Sequence, residues 1–208
     1  VWYDADNDGL FDANESGVNG VEVELYVDSD GNGSFTPGVD SYVGSDTTSD
    51  GGYYTFTNLL PGDYVVVITG TNFVNGGVLS DYRSSTPTEG EPDSNINNND
   101  NGIEVTDGSV NPTVTYVASS AITLNGGEEP STTTAKGDSN WTVDFGFYQL
   151  ILGNQVWVDT NRDGLFDTNE PPMAGVVLTL TTAGGLPVDR DPTTPGVQAY
   201  TTTTDANG

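Results

Sequence analysis

Asp4, Asp6, Asp8, Asp12 and Glu15 stand at positions 1, 3, 5, 9 and 12 of the stretch Asp4–Glu15, with Gly9 at position 6. A hard cation such as Ca²⁺ takes six to eight oxygen ligands, and this spacing supplies them. Carboxylates come from positions 1, 3 and 5, the Leu10 carbonyl from position 7, and Asp12 acts directly or through water. Glu15 closes the loop with both oxygens, and the glycine permits the sharp turn between the ligands. The pattern occurs again as Asp159, Asn161, Asp163, Leu165, Asp167 and Glu170, with Gly164 at position 6. Asn161 at position 3 and Arg162 beside it remove negative charge, so this copy is expected to bind more weakly. A solvated acidic turn is the competing reading, and two full matches to the template favour the metal.

Two further stretches fit less completely. Asp28, Asp30, Asn32 and Ser34 take positions 1, 3, 5 and 7, with Gly33 at position 6. Position 12 is Val39, and Asp40, one residue on, is expected to close an enlarged loop. A plain Asp/Gly turn uses the same residues. Asp93, Asn95, Asn97, Asn99, Asn101 and Glu104 occupy positions 1, 3, 5, 7, 9 and 12 of a third pattern. Asn98 replaces its glycine, and Asn tolerates the left-handed conformation. A shifted register would use Asn97, Asn99 and Asn101 ahead of Gly102, and a polar loop without metal is the alternative to both. Asp144, in an apolar stretch, is either a core-edge carboxylate bonded to backbone or a ligand from outside the loops. Trp2, Trp141 and Trp157 read as core or junction packing rather than as a sugar platform.

The 208 residues carry 31 acidic and 4 basic side chains, a formal charge of −27. That balance repels nucleic acid and anionic membrane surfaces and opposes compaction unless counter-charge is supplied. With no His and no Cys, a Ser-His-Asp triad, disulfides and His or thiolate metal sites are excluded. Paired carboxylates hydrolyse glycosides in some enzymes, but the strong acidic clusters here already follow calcium spacing, so no enzyme is expected. No apolar run reaches membrane-spanning length, so no direct membrane insertion is expected.

The elements that must position these ligands are strands. Val21–Val27 alternates apolar and polar residues, and Tyr53–Phe56, Tyr64–Ile68, Val114–Leu124 and Trp141–Tyr148 carry β-branched and aromatic residues between Gly/Pro/Asn-rich loops. The expected fold class is all-β, in antiparallel β-sandwich modules. The chain is also a tandem repeat. Asp4 aligns with Asp159 (159 − 4 = 155), Gly20-Val21 with Gly175-Val176, and Asp50 with Asp205 at the same offset. Residues 1–149 are read as one calcium-binding module lacking its first few residues, and 150–208 as the N-terminal part of a second. The second has Ala183-Gly184-Gly185-Leu186 where the first has the loop beginning at Asp28. A start at Val1 inside an apparent strand fits a piece of a longer polypeptide.

Leu152 to Glu170, Tyr53–Phe56 with Leu60–Tyr64, Asp93–Ile103 and Val143–Phe147 together resemble the B-type repeat of the serine–aspartate repeat surface proteins. These SdrD B-like domains fall within the Cna-B-like superfamily. The resemblance implies a prealbumin-like, Ig-like sandwich that binds several Ca²⁺ ions and serves as a stalk or spacer in an extracellular bacterial surface protein or secreted fibre. Many Cna-B-like modules close an intramolecular isopeptide bond through a Lys in an early core strand. The one Lys here is Lys136, in a polar stretch, so no such bond is expected and calcium would be the staple instead. The expected function is a non-catalytic, calcium-stabilised tandem repeat. Its partners would be neighbouring repeats of the same polypeptide and, in a fibre, other copies. The alternative is an adhesin module that binds a host protein or glycan.

Overall fold

Strand β5 (Gly62–Thr69) organises the first unit because both of its faces are buried. Tyr64, Val66 and Ile68 enter the main core, and Val65 and Val67 enter a smaller cluster on the opposite face. A strand covered on both sides reads as a continuous apolar run, as Tyr64–Ile68 does. The computed structural model describes residues 1–86, 92, 98–108, 113–129, 137–189 and 195–208. The chain divides into two compact units, Val1–Leu150 and Ile151–Gly208.

In the first unit the other strands are β1 (Trp2–Tyr3), β2 (Ser16–Gly17), β3 (Glu22–Val27), β4 (Ser41–Thr47), β6 (Arg83–Ser84), β7 (Ile103–Thr106), β8 (Val114–Ala118), β9 (Ile122–Leu124) and β10 (Gly146–Tyr148). One sheet has the order β2-β1-β10-β6, and the other runs β4-β3-β5-β8-β7, with β9 also paired to β5. Pairing is antiparallel except between β1 and β10, where Trp2 faces Gly146 and Tyr3 faces Phe147 in parallel. The main core collects Val21, Val23 and Leu25, the inward residues of β5, Val117, Ile122, Phe145 and Phe147. No helix among the described residues is long and apolar enough to cross a membrane.

The small cluster decides where one acidic loop sits. Phe35 lies 4.7 Å from the ring of Tyr26 and 5.0 Å from that of Tyr116, over Val65, Val67 and Ala118. The loop that begins at Asp28 is thereby fastened to the outer face of the larger sheet. Ala121 N donates to Gly33 O at 2.9 Å, so the break between β8 and β9 holds the same loop.

Three stretches read as strands depart from that expectation. Tyr53–Phe56 forms no strand. Its backbone pairs only through the bridge of Ser49 with Tyr53, and Thr55 N donates to Asp46 Oδ2 instead of to a ladder. Its aromatics pin a loop to the core: Tyr54 and Phe56 pack there, and Tyr54 Oη donates to Val143 O at 2.8 Å. Of Trp141–Tyr148 only the last three residues are strand, and Val114–Leu124 is split into β8 and β9.

The second unit contains β11 (Val177–Thr179) and β12 (Thr201–Thr203), paired antiparallel. They repeat the β3–β4 pair, but not at one constant offset. Val21 N donates to Thr48 Oγ1, which donates to Val18 O; Val176 N donates to Thr204 Oγ1, which donates to Met173 O. Val176 follows Val21 by 155 residues, while Thr204 follows Thr48 by 204 − 48 = 156. One residue is therefore inserted between the paired strands, and Asp50 corresponds to Ala206 rather than to Asp205. The glycines that follow agree. Gly52 (φ 89°) and Gly208 (φ 84°) each sit where a Cβ would stand 2.0 Å and 2.3 Å from the carbonyls of Val1 and Val156. No side chain fits either position. A tight turn at Thr182–Leu186, closed by Thr182 N to Leu186 O at 2.8 Å, replaces the loop at Asp28.

Candidate metal-binding loops

Asp4 is 2 % exposed at the end of β1, and its two oxygens organise the loop that follows. Oδ1 accepts Asn7 N at 2.6 Å and Oδ2 accepts Gly9 N at 2.9 Å. Asp8 Oδ1 accepts Leu10 N at 2.8 Å. Glu15 closes the loop, accepting Ala5 N at 2.7 Å and Asp12 N at 3.0 Å. Positions 4 and 6 take left-handed backbone, at Asn7 (φ 59°) and Gly9 (φ 76°). Carboxylate oxygens of Asp4, Asp6 and Asp8 lie within 4.8 Å of one another. Two oxygens bound to one Ca²⁺ at about 2.4 Å are separated by at most about twice that distance, so the cluster is sized for a single ion.

The second unit repeats this cage. Asp159 accepts Arg162 N and Gly164 N, Asp163 accepts Leu165 N, and Glu170 accepts Thr160 N and Asp167 N. Arg162 (φ 65°) and Gly164 (φ 79°) are left-handed. Asn161 donates to Asp163 and Asp167, holding two carboxylates by its amide rather than presenting a third. The indole before each loop packs on the phenylalanine inside it, Trp2 on Phe11 at 5.8 Å and Trp157 on Phe166 at 5.7 Å. Trp141, by contrast, is 56 % exposed.

The loop from Asp28 to Asp40 follows the same plan with one extra residue. Asp28 accepts Gly31 N and Gly33 N at 2.9 Å each, and Asn32 Oδ1 accepts Ser34 N at 2.8 Å. Gly31 (φ 67°) and Gly33 (φ 82°) are left-handed. Asp40 accepts Ser29 N at 3.0 Å and Thr36 N at 2.7 Å, the amides at positions 2 and 9. Those are the two positions that Glu15 and Glu170 bind in their loops. A shorter carboxylate in a longer loop thus reaches the same amides, and oxygens of Asp28, Asp30 and Asp40 lie within 4.8 Å of one another. Burial alone would raise the Asp28 carboxyl, but the amides of Gly33, Gly31 and Asn32 outweigh it and hold it below the usual carboxylate value.

For the third pattern, Asp93, Asn95 and Asn97 lie outside the described residues, as does Lys136. Glu104 is on β7, with one oxygen 2.9 Å from Arg83 Nη1 and the other accepting Ser84 N. Asn101 Oδ1 accepts Asp144 N at 2.9 Å, and Asp144 Oδ2 accepts Asn98 N, so Asp144 is a backbone-bonded carboxylate at the core edge. Asn99 is 1 % exposed, and both atoms of its amide lack a partner.

This segment docks on the first loop. Asp100 N donates to Gly9 O at 2.8 Å, Phe11 N to Asn98 O at 2.8 Å, and Thr86 N to Asn7 Oδ1 at 3.0 Å. Spacing rules did not single out Asp100, because it sits off the template positions. It is fully buried. Burial pushes its carboxyl up to about 7, with the charges of Asp4 and Asp144 adding to the rise against two backbone hydrogen bonds.

Residues 1–118 match the model of the SdrD B-like domain family. The chain is 30 % identical over 210 residues to a serine-aspartate repeat-containing protein F of Staphylococcus epidermidis, covering all of this chain and 9 % of that protein. It is 32 % identical over 188 residues to a serine-aspartate repeat-containing protein D of Staphylococcus aureus (strain Newman), covering 89 % of this chain and 11 % of that protein. The chain thus spans about a tenth of the length of these curated relatives.

Proposed function

We propose that this chain, which belongs to the SdrD B-like domain family, is a non-catalytic spacer of a bacterial cell-surface or secreted extracellular protein, stiffened by Ca²⁺. The observation that carries the reading is the backbone cage built three times over, around Asp4, Asp28 and Asp159. In each, the first carboxylate gathers the amides at positions 4 and 6 and the last gathers those at 2 and 9. In the loops at Asp4 and Asp28 three carboxylates also bring oxygens within 4.8 Å of one another, and oxygen is the donor that Ca²⁺ takes.

The residues that would hold the ion are Asp4, Asp6, Asp8, the Leu10 carbonyl, Asp12 and Glu15 in the first loop. Asp159, Asn161, Asp163, the Leu165 carbonyl, Asp167 and Glu170 take these places in its repeat. Asp28, Asp30, Asn32, the Ser34 carbonyl and Asp40 serve in the enlarged loop. Bound Ca²⁺ supplies two positive charges per site among carboxylates that otherwise repel. The chain's own part is to hold those carboxylates close before the ion arrives and to tie the first two loops to the sheets through Trp2 and Phe35.

Native mass spectrometry with calcium, beside thermal unfolding with and without chelator, tests the reading. At least three bound ions and a large calcium-dependent rise in Tm are expected. No bound ions and no shift would leave the loops as solvated turns. An adhesin role has one observation in its favour: a cleft of about 790 Å³ in the first unit, walled by Tyr54, Phe56, Leu59, Ile122 and Val143 with Trp141 at hand. Reproducible binding to a host protein or glycan on an array, abolished by Trp141→Ala, would establish it.

A further inference from the structure

Leu150, Ile151 and Leu152 are the most exposed large apolar side chains among the described residues, at 84 %, 88 % and 87 %. The cleft of the first unit is the apolar surface that could cover them. Val1, Gly52, Tyr54, Phe56, Ile122 and Val143 line it, and Tyr53, Leu60 and Trp141 stand exposed at its rim. The tandem repeat ties this triplet to such a cleft. Val156 N donates to Gly208 O at 2.7 Å, just as Val1 N donates to Gly52 O at 2.8 Å. The pair Val156 and Gly208 is therefore the counterpart of two residues that line the cleft. Leu150-Ile151-Leu152-Gly153-Asn154-Gln155 is the segment that leads into Val156. By its place in the repeat, this apolar triplet belongs beside a cleft of this kind. Triplet and cleft nevertheless lie at opposite ends of β10. Strands β1 and β10 run parallel, and the cleft takes in their starts through Trp2, Val143 and Asp144. The chain leaves the first unit past the other end of β10, beyond Tyr148. The seven residues from Val143 to Leu150 span about 23 Å when extended.

We propose that Leu150, Ile151 and Leu152 of one chain dock in the cleft of a second copy, joining copies head to tail. A patch that fits a pocket elsewhere on the same molecule makes a contact that does not close on itself and extends from copy to copy. Gly153 and Asn154 suit a turn and let the donor chain swing away before Val156, whose bond to Gly208 is kept. Three side chains are far fewer than the roughly 20–30 residues a side of a standard interface, so each contact is weak. The formal charge of −27 opposes association, and salt that screens it strengthens an apolar contact. The docking goes beyond the spacer reading and needs no calcium. A host protein or glycan is the competing occupant of the cleft.

Sedimentation velocity of the whole chain at concentrations up to about 1 mM tests the docking. Three chains are compared: wild type, a triplet variant (Leu150→Ser, Ile151→Ser and Leu152→Ser) and a cleft variant (Tyr53→Asp and Leu60→Asp). All five side chains are exposed, so both variants are expected to fold. The wild-type sedimentation coefficient should rise with concentration, and more steeply at about 1 M NaCl than at about 0.1 M. Each variant alone should stay monomeric. An equal mixture of the two should form a dimer and stop there, because one supplies only the cleft and the other only the triplet. A wild-type chain that stays monomeric, association that survives in either variant, or a mixture that stays monomeric overturns the docking. A monomeric wild type whose binding to a host protein or glycan is lost in the cleft variant gives the cleft to that ligand instead. The calcium-dependent rise in Tm is expected to be unchanged in both variants, so failure of the docking and failure of the spacer reading are read separately.

Discussion

Glu15, Glu170 and Asp40 each hold two backbone amides across a loop, so each matters before any ion binds. Glu15→Ala leaves the amides of Ala5 and Asp12 without their acceptor, a loss of about 1–3 kcal/mol in chelator. It also deletes a ligand that would bind through both oxygens. Calcium affinity of the first loop should then fall by more than the roughly 10–100-fold typical of losing an outer-shell partner. Urea unfolding in chelator measures the first effect, and calorimetric calcium titration of the variant against wild type measures the second. Asp100 gives the opposite sign. Its folded-state value, about 7, lies above the ordinary 3.8. The folded chain therefore binds the extra proton, and this group's stabilising effect is complete below about pH 4 and lost as pH rises to about 7. Asp28, held low, contributes stability above its ordinary value that disappears as pH falls. In chelator, Asp100→Asn is expected to stabilise the chain at pH 7 by a few kcal/mol at most and to do nothing near pH 4. Urea unfolding at the two pH values reads the difference.

At the scale of elements, the loops are only as rigid as their attachment to the sheets. Phe35 reaches Tyr26 and Tyr116 across the outer face of β5. Phe35→Ala should cost about 2–4 kcal/mol and loosen the Asp28–Asp40 loop, visible as faster amide exchange at Gly31 and Gly33. Thr48 ties the entrance of β3 to the end of β4 by accepting Val21 N and donating to Val18 O. Thr48→Val keeps the shape and strands both groups, so a loss of about 1–3 kcal/mol is expected in a melting curve.

How much was legible in the sequence differs between these elements. The loops at Asp4 and Asp159 and the β5 strand were plain, because ligand spacing and apolar runs are local patterns. Asp40 as the closing residue was legible only as an expectation, since nothing local says that a shorter acid in a longer loop meets the same amides. Tyr53–Phe56 misled because aromatic alternation also suits a loop pinned to a core, and Asp46, which takes the Thr55 amide, lies nine residues away. Asp100 was invisible. Its burial and its orphaned oxygen arise from β10 and the first loop, which approach it only in the folded chain.

For the whole molecule, the formal charge of −27 sets the terms. Arg83 pairs with Glu104, outside the three loops, and among the described residues no side-chain cation is in ion-pair contact with a loop carboxylate. Ca²⁺ and simple salt both relieve repulsion, but by different laws. Salt screens all exposed charges, with a Debye length near 10 Å at 0.1 M and about 3 Å at 1 M. Calcium acts by mass action at sites, adding about 2.7 kcal/mol per independent site at one hundred times its dissociation constant. Three loops would then add about 8 kcal/mol, comparable to the whole stability of an ordinary domain. The chelator-treated chain should therefore melt far lower, and 1 M NaCl should recover only part of the loss. Magnesium is expected to recover little more than its ionic strength explains, because it prefers tight octahedral geometry and keeps its waters. A Tm restored fully by NaCl, or equally by Mg²⁺ and Ca²⁺, would mean that bulk screening stabilises the array and that the cages around Asp4, Asp28 and Asp159 have no part in it.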